Sequence, residues 1–102
     1  MNLITIVLLV SFYCPCKICC GKWAGGLTST GTWPEQKFSL ACNKAWTRQG
    51  KKFFIPSFGL TECEDTGSKI QGTHVDMFVE THAEAVRLGI KKVTAYEVKL
   101  ND

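Results

Sequence analysis

The stretch Glu64-Asp65-Thr66-Gly67-Ser68-Lys69-Ile70-Gln71-Gly72-Thr73-His74-Val75-Asp76-Met77-Phe78 constrains this chain more than any other part of it. It sets two carboxylates, Asp65 and Asp76, eleven residues apart, each where a strand pattern meets a glycine-containing turn. Gly67 and Gly72 let the backbone bend tightly there, because a residue without Cβ enters conformations closed to others. A helix signal follows. Thr81-His82-Ala83-Glu84 has the capping-box form, with Thr81 as N-cap and Glu84 at the third helical position. Ala83, Ala85, Val86 and Leu88 supply an apolar stripe, and Gly89 ends the helix after about two turns.

The rest of the chain reads as short strands and turns. Residues 38–42, 52–55, 60–64, 75–79 and 92–98 are strand candidates, and Pro56 stops the second of them. Residues 21–31 have the glycine and threonine content of a loop, and residues 46–50 read as a polar turn. Many short strands with one helix predict a mainly β fold, a small barrel. The 102 residues make one domain, 1–102, with a modest core.

Residues 3–10 are continuously apolar and rich in β-branched side chains, which predicts a first strand over residues 1–12. The competing reading is the apolar region of an export signal. No basic residue precedes the run, no small-x-small cleavage site follows it, and it is too short to span a bilayer. Stable membrane insertion is therefore not expected.

The net charge of +3 is mild and scattered. The pairs Lys51-Lys52 and Lys91-Lys92 read as solvated surface, and no nucleic-acid partner is expected. Six cysteines are many for this length. Four crowd into Cys14-Pro15-Cys16-Lys17-Ile18-Cys19-Cys20, with Cys42 and Cys63 downstream. Disulfides, packed thiols and a metal site all compete for them. The doubled C-x2-C spacing of many zinc sites is absent, and neither His74 nor His82 stands where a partner is evident. The reading favours a structural role, with no metal and no cofactor. Trp23, Trp33 and Trp46 suit either sugar stacking or core packing.

Read in order, the segments resemble the three-aspartate, or 3D, domain family. Tyr13 to Lys22 matches that family's Y-C-P-C-x-x-C-C-G-K, Gly26 to Thr32 its G-x-T-x-[ST]-G-T, and Glu64 to Phe78 its E-D-T-G-x-x-I-x-G-x-x-[VI]-D-[IM]-[FY]. Leu40-Ala41-Cys42-Asn43, Gly50, Ile55-Pro56 and Thr81-His82-Ala83-Glu84-Ala85 fall in place between and after them. The resemblance implies a six-stranded double-psi β-barrel with one short helix, related to the membrane-bound lytic transglycosylase A and stationary-phase survival enzymes. It departs at the first of the three aspartates, here Asn43, at Lys44 and Arg48 where the family has proline, and at Gln71.

That family implies a peptidoglycan lytic transglycosylase. Such an enzyme cuts the MurNAc–GlcNAc β-1,4 bond by attack of the MurNAc C6 hydroxyl on its own anomeric carbon, forming a 1,6-anhydro ring. Glycoside hydrolysis ordinarily needs two working carboxylates. An internal nucleophile leaves one acid to protonate the leaving oxygen and then to take up the C6-OH proton. The resemblance assigns that role to Asp76, with Asp65 as its orienting neighbour. Thr66, Gly67, Asn43, Thr30 and Gln71 are the implied substrate contacts. It also implies a monomer, bacterial or phage-encoded, acting on peptidoglycan at the cell envelope or after secretion. A non-catalytic glycan-binding barrel of the expansin or barwin type is the alternative, and Asn43 favours it. A retroviral-type aspartic protease shares D-T-G, but here Glu62-Cys63-Glu64 precedes it rather than an apolar strand.

Overall fold

The computed structural model describes residues 2–99. Its elements run β1 (Asn2–Tyr13), α1 (Lys17–Cys20), a 3-10 turn (Gly21–Trp23), β2 (Ser39–Cys42), α2 (Lys44–Gln49), β3 (Lys52–Ile55), β4 (Gly59–Thr66), β5 (His74–Phe78), α3 (His82–Leu88) and β6 (Lys91–Lys99). The six strands close into a barrel in the order β1-β5-β2-β4-β3-β6. Two neighbour pairs, β1–β5 and β2–β4, are parallel, and the other four are antiparallel. This closed arrangement fits the double-psi barrel.

Side-chain alternation explains the closure. Leu8, Val10 and Phe12 of β1 turn inward and meet Leu40, Phe53, Ile55, Val75, Met77 and Ala95 in one core. Successive strand residues face opposite sides, so Ser11 and Tyr13 emerge on the outer face of β1. The apolar N-terminal run is thus a barrel strand, paired along its length with β6 and at its C-terminal end with β5. Cys42 and Cys63 form a disulfide across β2 and β4, a structural role of the kind read from the sequence.

Two expectations need correction. Residues 46–50 are not a simple turn; residues 46–49 belong to α2, whose N-cap is Asn43 and whose C-cap Gly50 adopts φ 62°. The fold therefore carries three short helices among the described residues rather than one. The helix read from the sequence is α3, and Thr81 caps it by accepting from Glu84 N–H at 3.2 Å. Glu84 does not appear in a reciprocal side-chain bond; its carboxylate pairs with Lys37 at 3.0 Å and Arg87 at 3.7 Å.

Candidate active site

Four adjacent strands bring their chemistry into one row. Ser11 of β1 pairs with Asp76 of β5, Asp76 pairs with Ala41 of β2, and Ala41 pairs with Asp65 of β4. Paired residues share a face, so Ser11, Asp76, Ala41 and Asp65 all project from the outer wall. A bulge makes this possible. Leu40 faces Cys63, yet the next residue, Ala41, faces Asp65 and skips Glu64. Without that extra residue Asp65 would continue the inward alternation of Thr61 and Cys63; one inserted residue turns it to the other side.

The segment between β1 and β2 stands over this row. Together they enclose a groove of about 620 Å³ whose lining includes Tyr13, Cys20, Trp23, Asp65, Thr66, Gly67, Asp76 and Phe78. Ser29 N–H donates to Asp65 Oδ1 at 3.0 Å, and Thr66 N–H donates to the same oxygen at 2.8 Å. The Tyr13 hydroxyl donates to Asp65 Oδ2 at 3.4 Å. Burial raises the Tyr13 phenol well above its ordinary value, and the charges of Asp65 and Asp76 push the same way, so it stays a neutral donor. Three donors therefore hold the Asp65 carboxylate in one orientation.

Asp76 is held differently. Its Oδ1 accepts from Ser11 Oγ at 3.0 Å, and Ser11 Oγ lies 2.8 Å from His74 Nε2. A serine has one hydroxyl proton, so when Ser11 donates to Asp76 the His74 Nε2 must carry the hydrogen that Ser11 accepts. Burial raises the Asp76 carboxyl above the usual aspartate range; Ser11 and His74 oppose this and the Asp65 charge adds to it. A partly buried carboxyl of raised pKa in an open groove is the arrangement that acid–base chemistry requires.

Of the residues proposed from sequence, Asp65, Asp76, Thr66 and Gly67 line the groove, and Asn43, Thr30 and Gln71 do not. A Cβ on Gly67 would come within 2.9 Å of Ile70 Cγ1, so glycine here keeps the groove edge closed against Ile70. Thr30 anchors the overlying segment instead, donating through both N–H and Oγ1 to the Glu64 carbonyl, at 3.2 and 2.8 Å. Asn43 accepts from Trp46 N–H at 2.9 Å and donates from Nδ2 to the Gly72 carbonyl at 2.9 Å. Gln71 is exposed, and its carbonyl accepts from His74 N–H at 3.1 Å. Ser11, Tyr13 and His74 join the site without any signal in the sequence. Only the pairing of β1 with a strand more than sixty residues away brings them there, and no local motif reports that pairing.

The cysteines divide as the strands dictate. Cys14, Cys16 and Cys19 gather at the end of β1, and His82, the first residue of α3, joins them. This corrects the expectation that neither histidine partners the cysteines. Cys20 stands apart, its thiol donating to the Cys14 carbonyl at 3.2 Å.

A family model described as the 3D domain matches residues 38–99, which takes in β2 through β6 and both aspartates. No curated protein matches the chain.

Proposed function

Because this chain belongs to the 3D domain family, one linked to barrels of the lytic transglycosylase kind, we propose that it is a peptidoglycan lytic transglycosylase. The observation that carries this reading is Asp76, a carboxyl raised by burial and facing an open groove with Asp65 fixed in the same row. Protonated Asp76 gives its proton to the glycosidic oxygen as the bond to the anomeric carbon breaks. The MurNAc C6 hydroxyl attacks that carbon, and the Asp76 carboxylate takes the hydroxyl proton. The acid is regenerated, and no water is consumed. Asp65, with its oxygens occupied by Ser29, Thr66 and Tyr13, serves as a fixed negative charge beside the developing positive charge on the sugar.

The Cys42–Cys63 disulfide supports action in an oxidising compartment, the cell envelope or outside the cell. Trp23, 74% exposed on the groove lining, offers a face for a sugar ring. The test is product analysis after incubating the protein with purified sacculi. Muropeptides ending in 1,6-anhydro-MurNAc support the reading. Reducing ends would make it a hydrolase, and retention on sacculi without release would make it a glycan-binding barrel.

A further inference from the structure

Four side chains outside the catalytic row converge on one point. The Cys14 thiol lies 3.0 Å from Cys16 Sγ and 3.4 Å from Cys19 Sγ. His82 Nδ1 lies 3.9, 3.6 and 3.5 Å from the sulfurs of Cys14, Cys16 and Cys19. All four ligand atoms fall within 4.8 Å of one another. We propose that Cys14, Cys16, Cys19 and His82 bind one Zn2+ as a closed tetrahedral site that fastens the end of β1 to α3.

The distances suit the ion. Tetrahedral zinc, with sulfur at about 2.3 Å and nitrogen at about 2.0–2.1 Å, spaces its ligands roughly 3.5–3.8 Å apart. The sulfur–nitrogen separations already fall near this range, and the two short sulfur–sulfur edges need to open by less than an ångström. The donor set is also selective, since thiolates with one imidazole favour zinc over the hard cations. Three sulfurs and a nitrogen fill the coordination shell and leave no position for substrate, which is the structural rather than the catalytic kind of site.

Local structure explains the convergence. Cys16 is the N-cap residue of α1 and Cys19 lies three residues on, so both come to one side of the turn. Cys14 is buried at the end of β1. His82 arrives because Thr81 caps α3 and α3 packs against β1. Binding displaces the thiol protons to solvent as the thiolates coordinate. Cys19 also lines the groove, so the ion would fix one wall of the glycan site. The site does not depend on which reaction the groove performs.

The experiment is metal analysis of the full chain, purified without chelator. The expected result is about one zinc per chain, with Cys14, Cys16 and Cys19 protected from alkylation until a chelator is added. Cobalt(II) added to the stripped protein should give the visible absorption of a tetrahedral cobalt–thiolate centre, a readout that requires no variant. Cys16→Ser and His82→Ala should lose most of the zinc in competition with a chromogenic chelator, whereas Cys20→Ser should keep it. The inference is overturned if the folded protein takes up neither zinc nor cobalt, if mass spectrometry finds a disulfide among these three cysteines, or if only copper or iron is held.

Discussion

Asp65 and Asp76 flank Ala41 in a single cross-strand row, one on β4 and the other on β5. Two strand spacings put their backbones about 10 Å apart. The bulge at Leu40 and Ala41 is what brings Asp65 onto this face, and the Ser29 and Thr30 bonds tie the overlying segment to the bulge. Sequence spacing alone would leave the two carboxylates on unrelated turns. The register makes them members of one site.

The pH response follows from Asp76. Its folded pKa is raised, so between the ordinary aspartate value and the folded value the native state holds more protons than the unfolded state. Stability from this group is therefore greatest at low pH and is lost as pH rises through the folded pKa. Asp76→Asn removes that loss. Its melting temperature should exceed the parent's at neutral pH, and the difference should shrink towards pH 4, about the ordinary aspartate value. Calorimetry at the two pH values checks this. A variant less stable than the parent at neutral pH would contradict it.

Ser11 pulls the other way, donating to the charged carboxylate. Ser11→Ala should raise the Asp76 pKa further and shift the alkaline limb of the kcat/KM profile upward. The profile of anhydro-sugar release against pH measures it, and a limb that moves down would count against the assignment.

The resemblance places Asn43 at the first of the family's three aspartates, but its amide is used twice, as cap to α2 and as donor to Gly72. Asn43→Asp keeps the cap and loses the donor, leaving two oxygens facing each other. The expected cost is about 1 kcal/mol, the usual net worth of such a bond, with no gain in turnover. The resemblance implies Asn43 as a substrate contact; its place outside the groove lining argues for the structural cost. Denaturant titration beside a rate assay distinguishes the two.

The tryptophans separate by position. Trp23 lines the groove, whereas Trp33, 71% exposed, does not, and Trp46 packs on Phe53 at 5.1 Å between ring centroids. Trp23→Ala should raise KM about two- to tenfold, the range of one aromatic contact of roughly 0.5–1.5 kcal/mol. Trp33→Ala should leave KM unchanged. Equal effects from both would remove the stacking subsite.

Much of the fold was legible because it is written in local pattern. The apolar run Phe53-Phe54-Ile55 stopped by Pro56 marks β3, the alternation in residues 75–79 and 92–98 marks β5 and β6, and Thr81 with Gly89 brackets α3. The α2 helix was hidden because its six residues Lys44–Gln49 carry no apolar stripe, and its only signals are Asn43 before it and Gly50 after it. The site was legible as two aspartates and no further. Ser11, Tyr13 and His74 reach it through the parallel β1–β5 pairing, and the bulge that turns Asp65 outward has no sequence mark. His82 reads locally as a helix-start residue, and only the packing of α3 on β1 shows it beside three thiols.

The central claim is that Asp76 both gives and takes the proton of glycan cleavage. Asn at this position keeps the size and the acceptor for Ser11 but has no proton to transfer. The decisive measurement is the rate at which Asp76→Asn releases anhydro-muropeptides from purified sacculi, alongside the parent and with folding verified by circular dichroism. The account predicts a fall of about a hundredfold or more, the scale of lost general acid–base catalysis. Release at the parent's rate would contradict it.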